Sequence, residues 1–285
     1  MIKDYLKLLR VKHYLKNLLV FAPLFFSMKF FNSEYLIKNI IGFIIFSLVS
    51  SIVYIINDIN DIEKDRNHPE KKNRPLASGR VKKHVALIVA ILLFTLSILL
   101  GALIKSSVYS YLAVYGYLIV NVAYSVKLKN IPIVDVSIIV IGFILRTIYG
   151  GLIVDVVISN WLILTVISFS YYLALGKRRN ELTSNGNKSR GVLEFYNSEF
   201  LDKMMYVMLT LFIVFYSLWT MSISSNASIL IWSVLWVIII VMRYSLIIEG
   251  NSYGDPADVL LSDWILISLS LLYGIFMFLT LYFIL

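Results

Sequence analysis

The chain has no cysteine among its 285 residues and only three histidines. A disulfide framework, a thiolate zinc site and a thiol nucleophile are excluded, and a metal held by imidazoles has too few ligands. Any cation that the chain binds must be held by oxygen. Charge is scarce as well: 15% of the residues are charged and 59% are hydrophobic. A soluble globular domain carries about 25% charged and about 45–50% apolar residues. Together with a mean hydropathy of +0.82, this describes a chain whose solvent is mostly lipid.

Apolar runs of the length that crosses a bilayer core, about 17–25 residues, fall near 15–31, 36–57, 83–104, 107–126, 131–154, 158–176, 203–223, 227–248 and 260–284. The expected fold is therefore all-α: a polytopic integral membrane protein of nine transmembrane helices forming one domain over 1–285. Lys16 and Asn17 open the first run and Pro23 interrupts it, which makes it the weakest. No cleavable signal peptide is expected before it, because residues 1–16 are basic and lack a small-residue cleavage site.

The formal net charge is +9, but in such a chain Lys and Arg first serve orientation, and no nucleic-acid partner is expected. Of the 26 Lys and Arg, all but Lys29, Lys38, Lys105 and Arg146 lie in 1–16, 58–83, 127–130, 177–203 and 243–259. These segments alternate along one side, so the N-terminus is expected in the cytoplasm and the C-terminus outside, in the cell membrane. The acids follow, with only Glu34 and Asp155 on the outer side.

The second run ends in Asn57-Asp58-Ile59-Asn60-Asp61-Ile62-Glu63-Lys64-Asp65. If the helix continues, Asp58, Asp61 and Asp65 share one face at i, i+3 and i+7. Three like charges on one stripe repel unless a divalent cation sits among them. Hard oxygen ligands suit Mg²⁺ bridging to a phosphate or diphosphate. Asn57 either ligates through its carbonyl or orients Asp61. The loop then supplies Arg66, Lys72 and Arg74, which can grip the phosphate oxygens that a metal leaves uncompensated. Arg146 lies eleven residues beyond Asp135, roughly 16 Å along a helix. A charge that deep costs about 2.5 to more than 10 kcal/mol, so it should face an interior partner. Asp135 and Asp58 are the partners expected.

These elements resemble the UbiA-type superfamily of intramembrane prenyltransferases, whose N-D-x-x-D-x-x-x-D element matches Asn57, Asp58, Asp61 and Asp65. Its R-P-x-x-x-G element matches Arg74, Pro75 and Gly79. Branches that prenylate aromatic rings carry a second D-x-x-x-D element after helix six. Here that loop reads Gly176-Lys177-Arg178-Arg179-Asn180-Glu181-Leu182, then Lys188-Ser189-Arg190. The substitution is similar to the decaprenyl-phosphate phosphoribosyltransferase branch. Further likenesses to that branch lie in Arg10 to Asn17, which includes Lys16 but has Val11 and Tyr14 for the usual proline and tryptophan; in Tyr124-Ser125 with Leu128-Lys129 and Asp135; and in Gly142-Phe143-Ile144-Leu145-Arg146 with Gly150.

The resemblance implies Mg²⁺ held by Asp58, Asp61 and Asp65. It implies catalytic roles for Asp58, Asp61, Lys16 and Arg146, and substrate contacts from Asn57, Arg66, Lys72, Arg74, Tyr124, Lys129, Asp135, Lys177, Arg178, Glu181 and Arg190. Loops 58–83 and 177–203 would carry the site. The partners implied are 5-phosphoribosyl 1-diphosphate, a polyprenyl monophosphate and membrane lipid, with a homo-oligomer left open. Prenyl transfer to an aromatic or glyceryl acceptor is the alternative reaction, and a lipid carrier or transporter the alternative class. The turn-rich stretch Glu249 to Asp258 stays outside the candidate site.

Overall fold

The structure, a computed structural model, describes residues 2–67, 71–185, 191–223, 227–249 and 256–284. All regular structure among them is helical: α1 (Ile2–Leu9), a 3-10 helix (Val11–Phe21), α2 (Ala22–Phe26), α3 (Ser33–Asn60), α4 (Ile62–Arg66), a 3-10 turn (Lys71–Asn73), α5 (Lys83–Leu103), α6 (Val108–Val126), a 3-10 turn (Leu128–Asn130), α7 (Val134–Ile153), α8 (Asn160–Asn185), a 3-10 helix (Gly191–Phe195), α9 (Ser198–Ser222), α10 (Ala227–Leu230), α11 (Trp232–Glu249), α12 (Pro256–Ser262) and α13 (Trp264–Leu279), which runs into a π turn. Side-chain caps set several starts. Asn32 accepts from the Tyr35 amide, Ser107 from Ser110, Asn197 from Phe200 and Asp263 from Leu266.

Among the described residues, six stretches are long and apolar enough to cross a membrane: Ser33–Asn60, Lys83–Leu103, Val134–Ile153, Ser198–Ser222, Trp232–Glu249 and Trp264–Ile284. α6 and α8 are of similar length but fall outside that group, α6 through its tyrosines and Asn121, α8 because it runs on into Lys177 to Glu181. The first expected run differs most. Residues 11–21 wind as a 3-10 helix, and Pro23 starts the separate five-residue α2, so no helix of spanning length forms there. Proline suits a first helical turn and ends whatever precedes it.

The chain divides into two compact units, Met1–Lys129 with Leu145–Val157, and Asn130–Ile144 with Ile158–Leu285. In the first, α3 packs against α1, the 3-10 helix, α5 and α6. Its core gathers Val20, Leu24, Phe46, Val49, Tyr117 and Tyr149, with a second cluster of Leu8, Ile52, Ile55 and Leu76. Gly150 is what lets the 3-10 helix come close: a Cβ there would lie 2.1 Å from the Val20 carbonyl oxygen. In the second unit, α8 packs on α9 and α11 on α13 around Tyr172, Leu193, Leu201 and Ile248.

Candidate functional site

The acidic stripe lies in the first unit, on a helix that does not run through. α3 ends at Asn60, Asp61 takes φ −101° and ψ 12°, and Asp65 sits on the separate α4. The three carboxylates therefore do not share one partner. Arg10 Nη2 donates to Asp58 Oδ1 at 2.5 Å, and Arg74 Nη1 donates to the same oxygen at 3.2 Å and to Asp65 Oδ2 at 2.6 Å. Asp61 instead accepts from Lys129 Nζ on both oxygens, at 3.0 and 3.3 Å. Asn57 Oδ1 accepts from the Ser125 hydroxyl at 3.1 Å.

The Arg74-Pro75…Gly79 element is a turn that aims its arginine. Gly79 holds φ +75°, the left-handed region open chiefly to glycine. The Val81 amide closes back on the Pro75 carbonyl at 3.0 Å. Pro75, Leu76 and Ala77 are buried beneath it. Arg66 is drawn elsewhere, to Glu63 at 2.9 Å and the Ala77 carbonyl at 3.3 Å, and Lys72 is exposed, so neither is brought to Asp58.

Arg146 is buried, and its expected partners are corrected. Its Nε donates to Asn17 Oδ1 at 2.8 Å and its Nη2 to the Tyr117 hydroxyl at 3.0 Å. The guanidinium lies over the rings of Phe46 and Tyr117, at 5.0 and 4.6 Å. Gly150 brings Val20, and with it the segment bearing Asn17, against the helix that carries Arg146. Ser47 and Ser50 complete the environment of Asn17. Asp58 is engaged by Arg10 and Arg74, and Asp135 by Arg178. Lys16 and Tyr124 are half-buried in the first unit.

Asp135 is fully buried in that second unit. Arg178 Nε donates to its Oδ2 at 2.5 Å and the Tyr196 hydroxyl to its Oδ1 at 2.6 Å, while Tyr196 accepts from the Ile133 amide at 2.7 Å. Burial, then the bond to Asp135, pushes the Tyr196 phenol above its ordinary range, so it stays a donor at neutral pH. Arg178 Nη1 also reaches Glu181 at 2.7 Å. With 0% of its side chain exposed and two carboxylates on it, Arg178 is held here as part of the packing. Lys177 is half-buried, and Arg190 lies outside the described residues.

The model for the UbiA prenyltransferase family matches residues 19–261. The chain belongs to that family. It is 32% identical to the decaprenyl-phosphate phosphoribosyltransferase of Mycolicibacterium smegmatis, covering 93% of this chain and 88% of that one. The enzyme of the same name from Corynebacterium glutamicum is also 32% identical, over 93% and 83%. A solved UbiA homolog from Archaeoglobus fulgidus bound to DMAPP and Mg²⁺ superposes with a TM-score of 0.70 at 18% identity, covering 99% of this chain and 100% of that one. Membership of UbiA makes the chain a transferase, and its apolar helices make it a multi-pass membrane protein.

Within this UbiA chain, a cavity of 280 Å³ beside Asp58 is lined by Lys7, Arg10, Asp58, Lys71, Asn73, Arg74 and Pro75. Lys7 and Lys71 are residues that motif spacing did not single out. Arg10 did stand in a recognised motif, but its place beside Asp58 is set by a tertiary contact across 48 positions. No three acidic or imidazole side chains converge on one point among the described residues. Even so, Asp58 and Asp65 meet at one cationic group, the Arg74 guanidinium. Two hard carboxylates already turned to a shared positive charge are a donor set that fits a divalent ion.

Proposed function

We propose that this UbiA member transfers 5-phosphoribose from 5-phosphoribosyl 1-diphosphate to a polyprenyl monophosphate, releasing diphosphate at the cytoplasmic face of the membrane. The observation that carries the reading is the convergence of Asp58 and Asp65 on Arg74 beside a cavity lined by Lys7, Arg10 and Lys71. The full-length similarity to enzymes named for this reaction supports it. Asp58 and Asp65, with Asp61 reoriented from Lys129, would hold Mg²⁺, which when bound supplies charge neutralisation of the diphosphate. Arg74 and Arg10 bind the remaining diphosphate oxygens and stabilise the charge that grows on them as the C1–O bond breaks. A phosphate oxygen of the lipid attacks C1 from the opposite face, so the anomeric configuration inverts. That oxygen is already anionic at neutral pH, so no strong general base is required. Lys129 and Tyr124 lie at the same end of α6 and orient substrate oxygens. The reading includes a cytoplasmic N-terminus, an outer C-terminus and nine membrane crossings in one domain, the first made by the broken 3-10 helix and α2 together and not by a single long helix.

The test is a detergent-solubilised assay with Mg²⁺ and a short-chain polyprenyl monophosphate. Labelled 5-phosphoribosyl 1-diphosphate is offered in one arm and an isoprenyl diphosphate with an aromatic acid in the other. Label entering the lipid from the ribosyl donor, and lost in Asp58→Asn, is the expected result. Prenylation of the aromatic acid instead would replace this reading with prenyl transfer.

A further inference from the structure

We infer that the cavity lined by Lys7, Arg10, Lys71 and Arg74 is a pocket for a phosphate monoester. The inference rests on the transferase reading above and assigns a second phosphate to the Lys7 and Lys71 side of that cavity, with Arg10 and Arg74 shared with the diphosphate. Three stretches distant in sequence build the pocket, and each presents its cation by a different device. Lys7 lies on α1, whose next residue, Leu8, is fully buried against Ile52 and Ile55. Asp4 ties the same helix to Arg80 at 3.0 Å. Arg10 takes φ 52° and ψ 47°, a left-handed conformation that side chains other than Gly, Asn and Asp rarely hold. Its guanidinium is fixed 4.6 Å over the Tyr54 ring and against Asp58. Lys71 opens the short 3-10 turn, and Arg74 is aimed by the turn that Gly79 closes.

The lining sets four cations against Asp58, which is buried and holds Arg10 and Arg74 in place, while Asp65 also holds Arg74, so positive charge among these residues remains in excess. Such a lining favours a ligand of high charge on a small group. A phosphate monoester carries about −1.5 to −2 at neutral pH with three acceptor oxygens. The volume, 280 Å³, exceeds the roughly 30 Å³ share of one water many times over. Two reactants in the proposed reaction carry this group: the sugar, at its 5-position, and the lipid.

The experiment measures binding of ribose 5-phosphate and of geranyl phosphate to the purified full-length protein without Mg²⁺. It compares wild type, Lys7→Gln/Lys71→Gln and the charge-preserving Lys7→Arg/Lys71→Arg. At least tenfold weaker binding of one ester in the glutamine variant, restored in the arginine variant, is expected. Loss of the ribose ester assigns the pocket to the sugar, and loss of the prenyl ester assigns it to the lipid. Unchanged binding of both, or no binding by wild type, overturns the pocket. Protection of Lys7 and Lys71 in wild type from amine acylation by inorganic phosphate reads the same site without any variant, and absence of protection counts against it. Phosphoribosyl transfer by wild type is scored separately. Transfer without monoester binding here defeats the pocket alone, and monoester binding without transfer defeats the functional reading alone.

Discussion

The two units hold the same ingredients in opposite conditions. In the first, Asp58 is nearly sealed, but its arginines keep 19% and 25% of their side chains exposed, and a cavity opens beside them. In the second, Asp135 and Arg178 are both at 0%. An ion pair that solvent can reach on one side can exchange its partner for a ligand. One that is closed on all sides cannot, and its energy goes into holding helices together.

The largest effect that would sharpen this contrast is Asp135→Ala. It strands the Arg178 charge in the interior, and we expect a loss of about 3–5 kcal/mol, read as a collapse of the melting temperature or of monodisperse protein in detergent. Asp58→Asn should instead leave melting within a few degrees and lower turnover about 100-fold or more. Equal destabilisation by the two variants would break the comparison. Gly150→Ala places a methyl group against the Val20 carbonyl and should cost about 1–3 kcal/mol, measured by thermal melting. Tyr196→Phe removes one donor from Asp135 while Arg178 remains, for about 1–2 kcal/mol by the same measurement. Exposed pairs should be silent in both units: Lys38→Ala and Lys203→Ala, each opposite a glutamate four residues away, should move stability by less than about 0.5 kcal/mol.

Much of the first unit was legible before any coordinates. Apolar run length located most helices, and of the acids at i, i+3 and i+7 Asp58 and Asp65 share Arg74 while Asp61 turns to Lys129. The cost of a charge at depth placed Arg146 inward. Pairing was not legible, because periodicity reports which face a residue occupies and not what meets it. Asp61 turns to Lys129 because the helix breaks at residue 61, a backbone event that its side-chain pattern does not encode. Arg178 read as a loop cation because Lys177 and Arg179 flank it. Only the approach of Asp135, 43 residues earlier, makes it interior. Lys7 looked like one more basic residue of the amino terminus until Leu8 was seen anchored in the core beside it.

The Asp135 carboxylate also bears on chain entropy. Arg178 and Tyr196 stand on either side of residues 179–195, and both are held by it, so the ends of that stretch are tied together whatever lies between. Closing a loop costs only about 0.6 kcal/mol more for each doubling of its length. The fold therefore sets little limit on how many residues lie between those anchors, while Val192 and Leu193 within the stretch stay fixed by the core they pack in.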